Sequence, residues 1–178
     1  MAARKILSQL AGCGALLFAF GLAAHDGRDR DGERLKAHLI GWQEVPAIAS
    51  GGTAVFRARI ADDDLSFDWE LTYSGLTDVR QAHIHVGQRG VSGAIVIFLC
   101  TNNGNAPPGT TVAACPSSAG TVTGTATAVN VVAVPAQGVA AGDFATVLDA
   151  IRAGVAYANV HTAAHTGGEI RGQISHDH

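Results

Sequence analysis

Apolar and polar residues alternate with the two-residue period of a β-strand through much of the first half of the chain. The clearest run is Leu65-Ser66-Phe67-Asp68-Trp69-Glu70-Leu71-Thr72-Tyr73, which puts Leu65, Phe67, Trp69, Leu71 and Tyr73 on one face. Residues 53–60 form the strand before it, and Asp62-Asp63-Asp64 lies between the two. That aspartate run lacks the glycine and the distal glutamate of a calcium loop, so it reads as a solvated turn. The pair is a hairpin with one buried face and one wet face. Residues 35–42 are the first strand candidate, and 81–87, 94–100 and 122–134 follow the hairpin. Residues 157–162 and 169–175 make a closing hairpin that turns through His165-Thr166-Gly167-Gly168. A helical period stands out over 143–153, where Phe144, Val147, Leu148 and Ile151 share a face, Asp143 caps the start and Gly154 ends the run. With 22 glycines and only 6% aromatic residues, the composition suits strands joined by tight turns. The pattern predicts one all-β domain with one short helix, without an internal repeat.

The N-terminus departs from this pattern. Arg4 and Lys5 open it, residues 10–22 are apolar and uncharged, and Ala23 and Ala24 offer small residues for cleavage. Residues 1–24 therefore read as an export signal, whose apolar run falls short of the ~20 residues that span a bilayer. Leu10-Ala11-Gly12-Cys13 resembles the box at which bacterial lipoproteins are cut and acylated, so a lipid tether at Cys13 is the alternative to a free exported protein. The best apolar run follows Cys13, which favours cleavage near Ala24 and a periplasmic or secreted product. Cleavage after Ala24 exposes His25, and cleavage after Leu22 leaves Ala23-Ala24-His25; each is an N-terminal copper chelator. Residues 25–34 are charged and read as a flexible lead-in, 35–175 as the domain, and 176–178 as a disordered polar tail.

The leader holds two of the 12 basic residues and none of the 15 acidic ones, so the remainder is mildly negative. Nucleic-acid binding needs a basic face, and this balance argues against it. Outside the cytoplasm cysteines oxidise, and Cys100 and Cys115 bracket a loop of Asn, Gly, Pro and Thr. They are expected to form a disulfide, which contributes on the order of 3 kcal/mol by closing a loop of that length.

The histidines carry the chemistry. In Gln81-Ala82-His83-Ile84-His85-Val86-Gly87 two imidazoles share one strand face while Ile84 and Val86 take the other. A second segment, Asn159-Val160-His161-Thr162-Ala163-Ala164-His165, adds His161 on a strand and His165 on the adjoining turn. Imidazoles on rigid strands suit a borderline or soft cation, and no cysteine or carboxylate is obviously supplied, so copper is preferred to zinc. The expected ligands are His83, His85 and His161, with His165 as an optional fourth. The competing role for these rings is to hydrogen-bond Glu169 or loop backbone and hold the strands together. Nothing points to a catalytic nucleophile: there is no G-x-S-x-G elbow, Ser92 sits in a turn, and no glycine-rich phosphate loop opens a helix.

Residues 82–100 (AHIHVGQRGVSGAIVIFLC) resemble the first half of a CHRD domain, the module named after chordin, and 148–174 (LDAIRAGVAYANVHTAAHTGGEIRGQI) resemble the second. Gly41-Trp42-Gln43-Glu44-Val45-Pro46 is similar to that family's opening signature. The resemblance spans about 35–175 and, with the strand alternation, implies an antiparallel Greek-key β-sandwich or barrel of seven to nine strands. It also implies an extracellular protein-recognition or adhesion role as the alternative to metal binding. The His-x-His pair with a distant histidine is faintly similar to copper/zinc superoxide dismutase, which implies His83, His85 and His161 as copper ligands. That family's histidine-rich zinc loop has no counterpart here, so the implication stops at a mononuclear copper site.

Overall fold

A computed structural model of the chain describes residues 32–177. The expected leader with Cys13, the chelating His25, most of the lead-in and His178 lie outside the described residues.

Nine strands form among the described residues: β1 (Arg34–Ile40), β2 (Thr53–Ile60), β3 (Ser66–Ser74), β4 (Val79–Val86), β5 (Ala94–Thr101), β6 (Gly120–Thr127), β7 (Ala156–Thr162), β8 (Ile170–Gln173) and β9 (Ser175–His176). They make one sheet in the order β5-β4-β7-β8-β1-β2-β3-β6, with β9 paired to β1 and every strand pair antiparallel. The sheet curls until its edge strands β5 and β6 approach each other, giving a nearly closed barrel. Alternation sends Leu39, Phe56, Leu71, Ile84, Ile97 and Val160 inward, where all are buried.

The expected alternation of β3 holds for Phe67, Trp69, Leu71 and Tyr73. Leu65 breaks it and stays 69% exposed, because its N–H is held by Asp63 Oδ1 in the turn, where Asp64 takes φ 58°. The strand expected over 122–134 stops at Thr127. There Asn130 Oδ1 accepts the Thr127 N–H at 2.9 Å, and a 3₁₀ turn over Ala128–Asn130 replaces the ladder. Val131 and Val134 beyond that turn are still buried.

The helix α1 (Phe144–Arg152) forms where the period predicts it, and Asp143 Oδ1 accepts the Thr146 N–H at 3.1 Å as its cap. Phe144 stacks on Phe67 with ring centroids 5.6 Å apart, and Arg152 binds Glu33 and Asp64. The helix therefore covers the barrel end where β1 begins and β2 turns into β3. The Cys100–Cys115 disulfide is present, with Cα atoms 5.1 Å apart. The tail is not loose: Ser175 and His176 pair with Lys36 and Leu35, and the Asp177 N–H reaches Arg34 O at 2.9 Å.

Candidate metal centre

Strand order brings the two histidine segments side by side. β7 pairs directly with β4 in a register that sets Gln81 beside His161, His83 beside Asn159 and His85 beside Tyr157. β8 adds Arg171 beside Asn159. Alternation puts His83, His85, Tyr157, Asn159, His161 and Arg171 on one face, and Ala82, Ile84, Ala158 and Val160 on the other. The second set lines the barrel core. The polar set points away from that core, yet none of its members is more than 6% exposed.

Loops make this outer layer dry. Gln88 O, Gly93 O and Thr166 O each accept from it, and Glu44, itself buried, reaches it from the segment after β1. Glu169 ties two of the covering loops together, accepting from Ser50 Oγ and from Thr162 Oγ1 at 2.6 Å each. Two glycines let the cover close. A Cβ on Gly93 would collide with the Val86 carbonyl, and one on Gly168, at φ 125°, would collide with the Glu44 carboxylate.

Within the layer His83 Nδ1 lies 3.1 Å from His161 Nε2, and candidate ligand atoms on His83, His85 and His161 all fall within 4.8 Å of one another. Donors sharing one ion at ~2 Å each sit at most ~4 Å apart, so the widest of these separations closes by side-chain rotation of about 1 Å. The ring protons are largely assigned by their neighbours. His85 Nδ1 faces Gly93 O at 3.0 Å and His161 Nδ1 faces Thr166 O at 2.9 Å. A carbonyl only accepts, so both rings carry their proton on Nδ1 and keep a bare lone pair on Nε2. Backbone acceptors behind a ring are the usual support of a metal-ligating histidine.

Burial is the first cause that keeps these rings neutral. It pushes His83 down to about 2, helped by the charges His161 and His85 would carry, and His85 down to about 4 against the Gly93 hydrogen bond. His161 is also lowered by burial, opposed by its bond to Thr166. Neutral imidazole is the form that binds a metal. Two of the lone-pair positions, His83 Nε2 and His85 Nε2, are buried without any hydrogen-bond partner. Leaving such atoms unsatisfied costs about 1–3 kcal/mol each, and a bound cation would remove that cost.

His83, His85 and His161 thus converge as expected, with His161 reaching the pair from the adjacent strand. His165 stands outside the three-histidine group and forms the frame of its turn, donating its N–H to Thr162 Oγ1 and accepting from the Gly168 N–H at 3.1 Å. Glu169 is engaged with Ser50 and Thr162, so it is not the anchor of His83 or His85. Ser92 is exposed in the β4–β5 loop. Nothing in the histidine pattern marks Asn159, although it shares a strand face with His161 two residues away. Glu44 and Arg171 stand out in the sequence only as members of their motif segments. The Arg171 guanidinium carbon sits over the Tyr157 ring, 3.4 Å from its centroid, and Tyr157 stacks on His85 with centroids 4.8 Å apart.

Fold and site together define a class: an antiparallel barrel that carries a covered histidine cluster on its outside. A family model, the CHRD domain, matches residues 35–174, and the chain belongs to that family. No curated protein and no solved structure matches the chain. CHRD domains are typically extracellular, and among the described residues no helix is long and apolar enough to cross a membrane.

Proposed function

We propose that this protein is an exported binding module that holds one copper ion through His83, His85 and His161, for storage, transfer or buffering outside the cytoplasm. The observation that carries this reading is the pair of buried, unpartnered imidazole nitrogens on His83 and His85 beside a third neutral ring. A purely structural cluster has no use for bare lone pairs in a dry layer, whereas a cation satisfies them together. Three imidazoles without a thiolate or a contacting carboxylate suit copper. The role stops at binding.

The test is copper titration of the purified domain in competition with a chromophoric chelator. His83→Ala and His161→Ala should each weaken binding well over tenfold while the circular dichroism spectrum stays that of the wild type. Wild-type protein that takes up no copper would sink the reading. Recognition of an extracellular protein would then lead, with Trp42, 67% exposed on the segment that carries Glu44, as its first candidate contact.

A further inference from the structure

We infer that Asn159 supplies a fourth donor to this site, with its Oδ1 atom facing the ion and its amide nitrogen on the Glu44 side. The inference rests on the three-histidine reading above and adds a ligand to it in place of His165.

Asn159 is 2% exposed, and its Oδ1 lies 3.0 Å from His161 Nε2. The proton of His161 is on Nδ1, against Thr166 O, so an oxygen lone pair faces a nitrogen lone pair. A neutral ring cannot donate from both nitrogens, and either tautomer leaves one repulsive contact. Turning the amide over would give His161 Nε2 a donor, but it would set the amide oxygen toward the Glu44 carboxylate. The Asn159 Nδ2 atom and Glu44 Oε1 both crowd the space over Gly168; burial pushes the Glu44 carboxyl up, and the Val45 N–H, the Arg171 guanidinium and, least, Asn159 oppose that shift. In its ionised form, which the neighbouring Arg171 guanidinium favours, Glu44 only accepts, so the amide nitrogen belongs on its side.

The contact is reconciled by a cation shared between the two lone pairs. A proton would make a buried imidazolium in a layer that already holds the Arg171 guanidinium. A metal fits better. Two donors ~2 Å from one ion at a tetrahedral angle lie roughly 3.3 Å apart, and here Asn159 Oδ1 is 3.0 Å from His161 Nε2. The donor set becomes three imidazoles and one weak neutral oxygen, an arrangement copper accepts.

The experiment is electron paramagnetic resonance of the copper(II)-loaded domain together with chelator competition, on wild type, Asn159→Leu, Asn159→Asp and His83→Ala. Asn159→Leu should weaken copper(II) about tenfold or more and change the copper hyperfine pattern. Asn159→Asp, with a charged donor at the same position, should bind more tightly and change the pattern in its own way. A wild-type spectrum and an affinity within twofold for Asn159→Leu, while His83→Ala loses copper, would overturn the Asn159 ligand and leave the three histidines standing. Absence of copper from the wild type would overturn both. If Asn159→Leu does not fold, Asn159→Asp decides, and an unchanged spectrum there rejects the proposal.

Discussion

The two halves of the barrel solve the burial problem differently. In β2 and β3 one face is dry and the other wet: Phe56, Phe67 and Leu71 are buried, while Arg57, Arg59 and Asp68 are exposed, with Arg57 in register with the half-buried Glu70 and Arg59 with Asp68. In β4 and β7 both faces are dry. Ala82, Ile84, Ala158 and Val160 fill the core, and His83, His85, Asn159 and His161 lie under loops on the reverse. One apolar face is all a sheet needs in order to fold. A second face that hides imidazoles, an amide, a carboxylate and a guanidinium works against stability unless each is satisfied. Its retention is best understood as the cost of a site.

This contrast can be broken at several points. The largest effect belongs to the apolar side: Phe67→Ala empties a fully buried site beneath Phe144 and should cost about 3–5 kcal/mol in urea unfolding. Loss of the disulfide by Cys100→Ala with Cys115→Ala should cost about 3 kcal/mol, matched by reductant on the wild type and absent for reductant on the variant. Copper at a hundredfold excess over its dissociation constant should raise the unfolding free energy by about 2.7 kcal/mol, and His83→Ala should show no such rise.

Acid sharpens the comparison further. The folded-state pKa values of His83 and His85 lie below the ordinary 6.5, so the unfolded chain takes up protons first as pH falls. Stability of the metal-free domain is therefore full above about pH 6.5 and declines toward the folded values, about 4 for His85 and about 2 for His83. Each ring adds at most about 1.4 kcal/mol per pH unit to the slope. His83→Leu should make the decline shallower in a series of urea midpoints against pH, and an unchanged slope would count against a buried neutral His83. The smallest effect lies on the wet face, where Arg57→Ala should stay within about 0.5 kcal/mol.

Much of this contrast is legible in the sequence. The alternation from Ser66 to Tyr73 gives the wet hairpin, the helical period and Asp143 give α1, and the His-x-His spacing gives two ligands on one face. What was not legible is pairing over distance. That β7 lies beside β4 follows from the order of the closed sheet, and local periodicity carries no information about it. Strand order sets Asn159 next to His83, and the closed sheet brings Glu44, over a hundred residues before Asn159, against that amide. The overlong expectation for 122–134 has a local cause instead: Val131, Val132 and Val134 look like strand, but the Asn130 side chain captures the Thr127 N–H and turns the chain.

The pairing of β9 with β1 leaves the two ends of the described chain in contact, Arg34 O bonded to the Asp177 N–H and Lys36 Nζ 3.8 Å from Asp177 Oδ1. A fold whose ends meet tolerates circular permutation and insertion into a host loop, because two short linkers leaving one spot need not span the body. The domain can thus be carried as a graft on a larger scaffold with the histidine layer left unstretched, and a permutant opened in the 102–114 loop, its old ends joined, should still take up copper.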